Sequence, residues 1–233
     1  MPAPIPFRDF AALCAGIYSR GCTTAAGFAR FGDVDLRLSG FQAAVFRRAN
    51  GSGLDWVVAI AGTQATDGDV ADIVADAGFG GALTGMVSSA LGVLGGGLLW
   101  HQCACAEDMV RNANQVMGRG HRLYVTGHSL GGGIAQIVSA RTGVPAVAIS
   151  APAVTAVSGV EGEWQRTRSR ITCLRVRNDP INHTGNVGNW LGRVVRLESP
   201  RTGMDAHSID STLAELVPSG SFSTIGQADP FAA

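Results

Sequence analysis

The sequence predicts an α/β fold, a mainly parallel central sheet flanked by helices. Two observations carry this. Strand-like and helix-like segments alternate along the chain, and a Gly-x-Ser-x-Gly motif at 127–131 lies directly between a strand pattern and a helix pattern. The composition permits it: 233 residues fit one domain, and 46% hydrophobic against 15% charged residues supply a sizeable core.

Residues 7–18 read as a helix, because Phe7, Phe10, Leu13, Cys14 and Ile17 recur on one stripe. Residues 41–47 read as a strand, Asn50-Gly51-Ser52-Gly53 as a turn, and residues 55–61 as a second strand. Residues 102–117 form a helix pattern through Cys103, Ala106, Val110, Ala113 and Met117. A short strand at 122–126 ends at Gly127, and the helix after it carries Leu130, Ile134, Ile137 and Val138. Residues 145–149 and 171–176 are further strands, and a last helix spans about 208–217. The tail after Pro218, rich in Ser and Gly, is expected to be loose. No repeat or linker interrupts the pattern, so residues 1–233 are expected to form a single domain.

Charge and cysteine content exclude several functions. The 18 basic residues are all Arg, they balance 18 acidic ones, and no basic run offers a footprint for nucleic acid. Five cysteines is an odd number, and Cys103 and Cys105 are too close to form a zinc pair, so no metal site and a reduced compartment are expected. Residues 1–10 lack a basic region followed by an apolar run, since Arg8 and Asp9 interrupt them. The expectation is a cytoplasmic protein, or one exported without a Sec-type signal peptide.

The motif Gly127-His128-Ser129-Leu130-Gly131 has a specific mechanical meaning. A serine on a tight strand-to-helix turn needs neighbours two residues away that lack bulk, and its hydroxyl then projects from the end of the sheet. The helix N-terminus beneath favours developing negative charge. The bland alternative is a glycine-rich helix start with an incidental serine. The strand before the motif, and Gly131-Gly132-Gly133 opening the helix, favour the nucleophile Ser129.

The stretch from Val125 to Ala135 (Val-Thr-Gly-His-Ser-Leu-Gly-Gly-Gly-Ile-Ala) resembles the nucleophile region of the class 3 lipases, an α/β-hydrolase family. Phe7-Arg-Asp-Phe-Ala-Ala-Leu resembles that family's opening helix, and Val57-Val-Ala-Ile-Ala-Gly-Thr63 its strand ending in Arg-Gly-Thr or Arg-Gly-Ser. The resemblance runs in patches over residues 7–216. It implies an α/β-hydrolase fold and a serine carboxylic-ester hydrolase, a lipase or esterase that needs no cofactor and takes a lipid or small ester as substrate. It also implies an oxyanion hole built from Thr63 and the N–H of Leu130. Residues 70–73 (Val-Ala-Asp-Ile) match the segment whose Asp orients the Thr63 hydroxyl, which puts Asp72 in that role; a helix-surface carboxylate is the alternative. Gly127, His128 and Gly131 support the nucleophile. The sequence departs from the family at Ala61, where an Arg is usual, at Asp69, where a Trp is common, and in lacking a His-x-Gly-Phe stretch downstream.

Hydrolases of this fold carry the triad in the order serine, acid, histidine. The strand at 171–176 runs into Arg177-Asn178-Asp179-Pro180, which resembles the family's Gly-Asp-Pro turn with Asn178 in place of Gly and makes Asp179 the acid. A turn-forming Asp-Pro without chemistry is the alternative. His183 and His207 are the histidines that follow; the context His207-Ser-Ile resembles the family's His-Ser-Met and selects His207. The interval of 28 residues from Asp179 to His207 is shorter than in the fungal members and is similar to that of short bacterial ones.

Residues 77–100 hold no charge and eight glycines. At about 1.5 Å per residue they could span a bilayer as a helix. Each interior glycine costs a helix about 1 kcal/mol relative to alanine, and the segment lies between two parts of one site. It is therefore expected to be a cover segment or a lid, with transient contact to a lipid interface. Three functions follow in order: lipid-ester hydrolysis; a phospholipase acting on membranes as an exported effector; and a catalytically silent binding protein on the same fold.

Overall fold

The computed structural model describes residues 5–51, 53–62, 98–154, 160–181 and 189–216. They form α1 (Phe7–Tyr18), β1 (Thr24–Ala25), β2 (Phe28–Leu36), β3 (Gln42–Asn50), β4 (Gly53–Ile60), α2 (Leu98–Val116), β5 (Arg122–His128), α3 (Leu130–Thr142) and β6 (Ala146–Ile149). After these come α4 (Glu161–Thr167), β7 (Ile171–Val176), β8 (Arg193–Leu197), α5 (Gly203–His207) and α6 (Ile209–Glu215).

Among the described residues the strands make one eight-stranded sheet in chain order. β1 to β4 pair antiparallel, and β4 to β8 pair parallel. Parallel strands added always on the same side, with right-handed crossovers, bring their connecting helices to one face. Helices α2 and α3 cover that face, packing on Trp56, Val58, Ile60, Val125, Ala146 and Ala148. The other face, with Val57, Ala59, Tyr124, Val147 and Ile149, is covered by α1 and by the segment of α5 and α6. The central strands are thus buried on both sides, so β4 from residue 56 to 60 and β6 read as continuous apolar runs with no alternation.

The strands missed by pattern lie at or near the sheet edges. β2 mixes Arg30, Asp33 and Asp35 with apolar residues, and β8 exposes Arg193, Val194 and Arg196, so neither shows a full apolar run. Helix α2 starts at Leu98, earlier than predicted, and Leu99 is buried in the core. The last three residues of the apolar stretch 77–100 therefore belong to this helix, where the Arg141 guanidinium stacks 4.4 Å from the Trp100 ring. The rest of that stretch, together with Thr63, Asp72, His183 and the tail after residue 216, lies outside the described residues. Among the described residues no helix is long and apolar enough to cross a membrane.

Candidate active site

The site is built where β5 turns into α3. Ser129 makes that turn alone, with φ 56° and ψ −129°, a backbone conformation that costs a non-glycine residue about 1–3 kcal/mol. The glycines around it permit backbone contacts that no side chain would allow. A Cβ on Gly127 would overlap the Gly131 carbonyl. One on Gly131 would overlap the Ile60 carbonyl and stand 2.6 Å from that of Ala61. The Ser129 N–H donates to the Ile149 carbonyl at 3.1 Å, and its own carbonyl accepts from the N–H of Gly132 at 3.0 Å. Although Ser129 is the N-cap of α3, its side chain makes no capping bond, so the hydroxyl is left to project from the turn. Leu130 opens the helix, and its N–H belongs to the first turn, where no intrahelical carbonyl is available.

Ser129 Oγ lies 3.1 Å from Nε2 of His207. On the opposite side of that ring, Nδ1 lies 3.0 Å from Asp179 Oδ1 and 3.2 Å from Oδ2. The pairing is almost sealed from solvent, with Asp179 1% and His207 4% exposed. Asp179 follows β7 and also accepts the Ile181 N–H at 2.9 Å. Asn178 before it has φ 64°, the left-handed region that glycine favours and asparagine tolerates, which is why Asn can stand in a Gly-like turn. The Asn178 side-chain amide donates to the Arg201 carbonyl at 3.1 Å, tying the loop of the acid to the segment that leads into α5 and His207.

Behind the serine, His128 Nε2 is 2.7 Å from the backbone carbonyl of His207, and Nδ1 is 2.9 Å from the Tyr18 hydroxyl. That hydroxyl oxygen also accepts the Gly62 N–H at 3.1 Å. Burial first, and the neighbouring His207 second, push the His128 imidazole down to about 3, so it is neutral near pH 7. Burial likewise pushes the Tyr18 phenol up, so it keeps its proton.

The structure thus brings Ser129, His207 and Asp179 into one hydrogen-bonded line, with Gly127, His128, Leu130 and Gly131 around it. Gly62 sits against the serine: a Cβ there would stand 3.0 Å from that of Ser129. Two residues, one in the site and one at the strand end beside it, were not legible in the sequence. Tyr18 closes the predicted helix without standing out, since its partner His128 is 110 residues away. Ser150, at the end of β6, has φ 47°, and no local pattern marks it.

The sequence profile of the lipase (class 3) family matches residues 44–156, from β3 through the nucleophile turn to beyond β6. No curated protein matches the chain. Among solved structures, the chain is similar to a triacylglycerol lipase from Penicillium expansum, with 15% identity, coverage of 84% of this chain and 79% of that one, and a TM-score of 0.51. It also aligns with the Lip2 lipase from Yarrowia lipolytica, with 14% identity, coverage of 86% and 82%, and a TM-score of 0.47. At 15% identity the first likeness is one of fold, and that fold is the α/β-hydrolase fold. The class 3 lipase profile covers just under half of the chain, and it runs through the strand, turn and helix that hold Ser129.

Proposed function

We propose that this protein is a serine carboxylic-ester hydrolase acting on lipid esters, with Ser129 as nucleophile, His207 as general base and Asp179 as its orienting acid. The observation that carries the reading is the line Ser129 Oγ to His207 Nε2 at 3.1 Å and His207 Nδ1 to Asp179 at 3.0 Å. A carboxylate on Nδ1 fixes the proton there and leaves Nε2 bare, the tautomer that accepts the serine proton. Ser129 Oγ then attacks the ester carbonyl, and the oxyanion is met by the Leu130 N–H and by Thr63. His207 returns its proton to the leaving alcohol, and the acyl group on Ser129 is released by a water that His207 deprotonates. The strained serine backbone fits this reading, since such outliers concentrate where geometry serves chemistry.

The test is a panel of p-nitrophenyl esters, triacylglycerols and phospholipids, with Ser129→Ala as control and a fluorophosphonate as covalent probe. Single labelling at Ser129, with hydrolysis that Ser129→Ala abolishes, is expected. Folded protein that is unlabelled and inactive on every ester refutes the reading and favours a silent binding protein; activity confined to phospholipids makes the enzyme a phospholipase. For the apolar stretch 77–100 we propose a cover segment or a lid: a lid makes activity rise when substrate passes from monomers to vesicles and makes Leu91→Asp lower vesicle turnover more than turnover of a soluble ester, whereas unfolding by Leu91→Asp with no interfacial rise makes the stretch packing and the enzyme a plain esterase.

A further inference from the structure

The three parts of the site come from distant points of the chain: Gly62 leads toward the oxyanion loop, His128 and Ser129 form the turn, and His207 ends α5. Catalytic groups must be held within about 0.5 Å of a productive arrangement, and such precision comes from supporting hydrogen bonds. One hydrogen-bonded chain joins all three parts. The Gly62 N–H donates to the Tyr18 oxygen, Tyr18 is bonded to His128 Nδ1, and His128 Nε2 is bonded to the carbonyl of His207.

The direction of this chain is fixed at both ends by the backbone. A carbonyl only accepts, so His128 carries its proton on Nε2; an N–H only donates, so Tyr18 accepts from Gly62. Neutral His128 then has a bare Nδ1, and the Tyr18 O–H donates to it. The groups facing the His128 ring are Tyr18 from α1 and His207 from α5, whose ring centroid is 4.8 Å away. A charged His128 would place an N–H against the Tyr18 donor. It would also set a cation beside the imidazole that must itself become a cation during the reaction.

We propose that Tyr18 and His128 are positioning residues for ester hydrolysis, forming a one-directional hydrogen-bonded brace that sets the base and the loop before Thr63 against the nucleophile turn. Neither touches a reacting atom. The brace acts on where the backbone of His207 and the N–H of Gly62 stand, so its loss falls on kcat more than on KM. The proposal rests on the ester-hydrolase reading above.

The experiment measures ester kinetics and the rate of fluorophosphonate labelling for wild type, Tyr18→Phe, His128→Leu and His128→Gln, with turnover normalised to the labelled Ser129. Tyr18→Phe fills the same space and removes the hydroxyl alone. It is expected to lower kcat about 10-fold with KM within about two-fold. His128→Leu breaks both bonds and is expected to lower kcat about 100-fold. Glutamine offers one donor and one acceptor, as a neutral imidazole does, and is expected to recover kcat to within about five-fold of wild type. A residue that only stabilised the fold would lower the fraction of labelled protein and leave turnover per labelled serine unchanged. Wild-type turnover per labelled serine in Tyr18→Phe overturns the brace, as does His128→Gln that is folded and no better than His128→Leu. If His128→Leu does not fold, Tyr18→Phe and His128→Gln decide. A wild type that is neither labelled nor active refutes the ester reading itself, whereas an active wild type beside an unaffected Tyr18→Phe refutes only the brace.

Discussion

Ser150 stands at the end of β6, beside the Ile149 carbonyl that holds the Ser129 N–H. Its φ is 47°, its exposure is 1%, and its hydroxyl has no hydrogen-bond partner among the described residues. Its N–H donates to the Leu174 carbonyl at 2.9 Å, so the strained backbone is pinned to β7. Two variants separate the two penalties. Ser150→Ala keeps the backbone and removes the unpaired buried hydroxyl, which is expected to stabilise the fold by about 1 kcal/mol. Ser150→Gly also releases a left-handed penalty of about 1–2 kcal/mol, offset by about 0.5–1 kcal/mol for the greater freedom of glycine in the unfolded chain. The sum is a stabilisation of about 2 kcal/mol, and for a chain of this size a rise in Tm of about 4–8 °C. Urea unfolding followed by circular dichroism, with all three proteins at one pH, measures both. Destabilisation by Ser150→Ala shows that the hydroxyl is bonded in solution. Ser150→Gly below Ser150→Ala shows that the backbone there carries no strain, and the reasoning fails at that step.

Asp179→Asn preserves shape but cannot hold the His207 tautomer, so kcat is expected to fall about 10⁴-fold with little change in fold; a loss under tenfold removes Asp179 from the mechanism. Gly131→Ala drives a Cβ into the Ile60 and Ala61 carbonyls and is expected to cost about 3 kcal/mol in urea unfolding. His128 is held at about 3 against 6.5 when unfolded, so the unfolded chain binds the extra proton between those values. Its contribution is complete above 6.5 and is lost as pH falls toward 3, by about 1.4 kcal/mol per pH unit inside that window. His128→Gln, which cannot titrate, is expected to flatten the stability profile between 6.5 and 3; an unchanged slope there shows that His128 is not the group responsible.

The elements that the sequence revealed are those with a continuous buried face. Helix α1 shows its stripe because one face meets the sheet, and β7 was bounded at 171–176 because both faces are covered. The edge strand β8 escaped, since Arg193 and Arg196 face solvent and leave no run to find. Ser129 was legible because a sharp turn demands small residues at fixed neighbouring positions, and Asp179 because a strand end with Asp-Pro is a local signal. His207 needed family likeness to be preferred over His183, as no local sequence pattern distinguishes the two. Tyr18 was beyond reach for a different reason: its role exists only after residues 110 apart have met. Ser150 sits where a glycine would be read from conformation, and a serine there carries no warning in sequence.

The second face of the sheet is closed from opposite directions along the chain, by α1 and by the stretch through α5 and α6. As the chain emerges during synthesis, β4 to β7 and their crossover helices can assemble while part of this face still lacks its cover. The segment that completes the cover is also the one that delivers His207. Under the proposed mechanism, a partly made chain presents Ser129 on its turn without the base that would activate it. On that mechanism, hydrolytic power is gained as the apolar face is sealed, and the appearance of ester hydrolysis during refolding would serve as a clock for the final docking step.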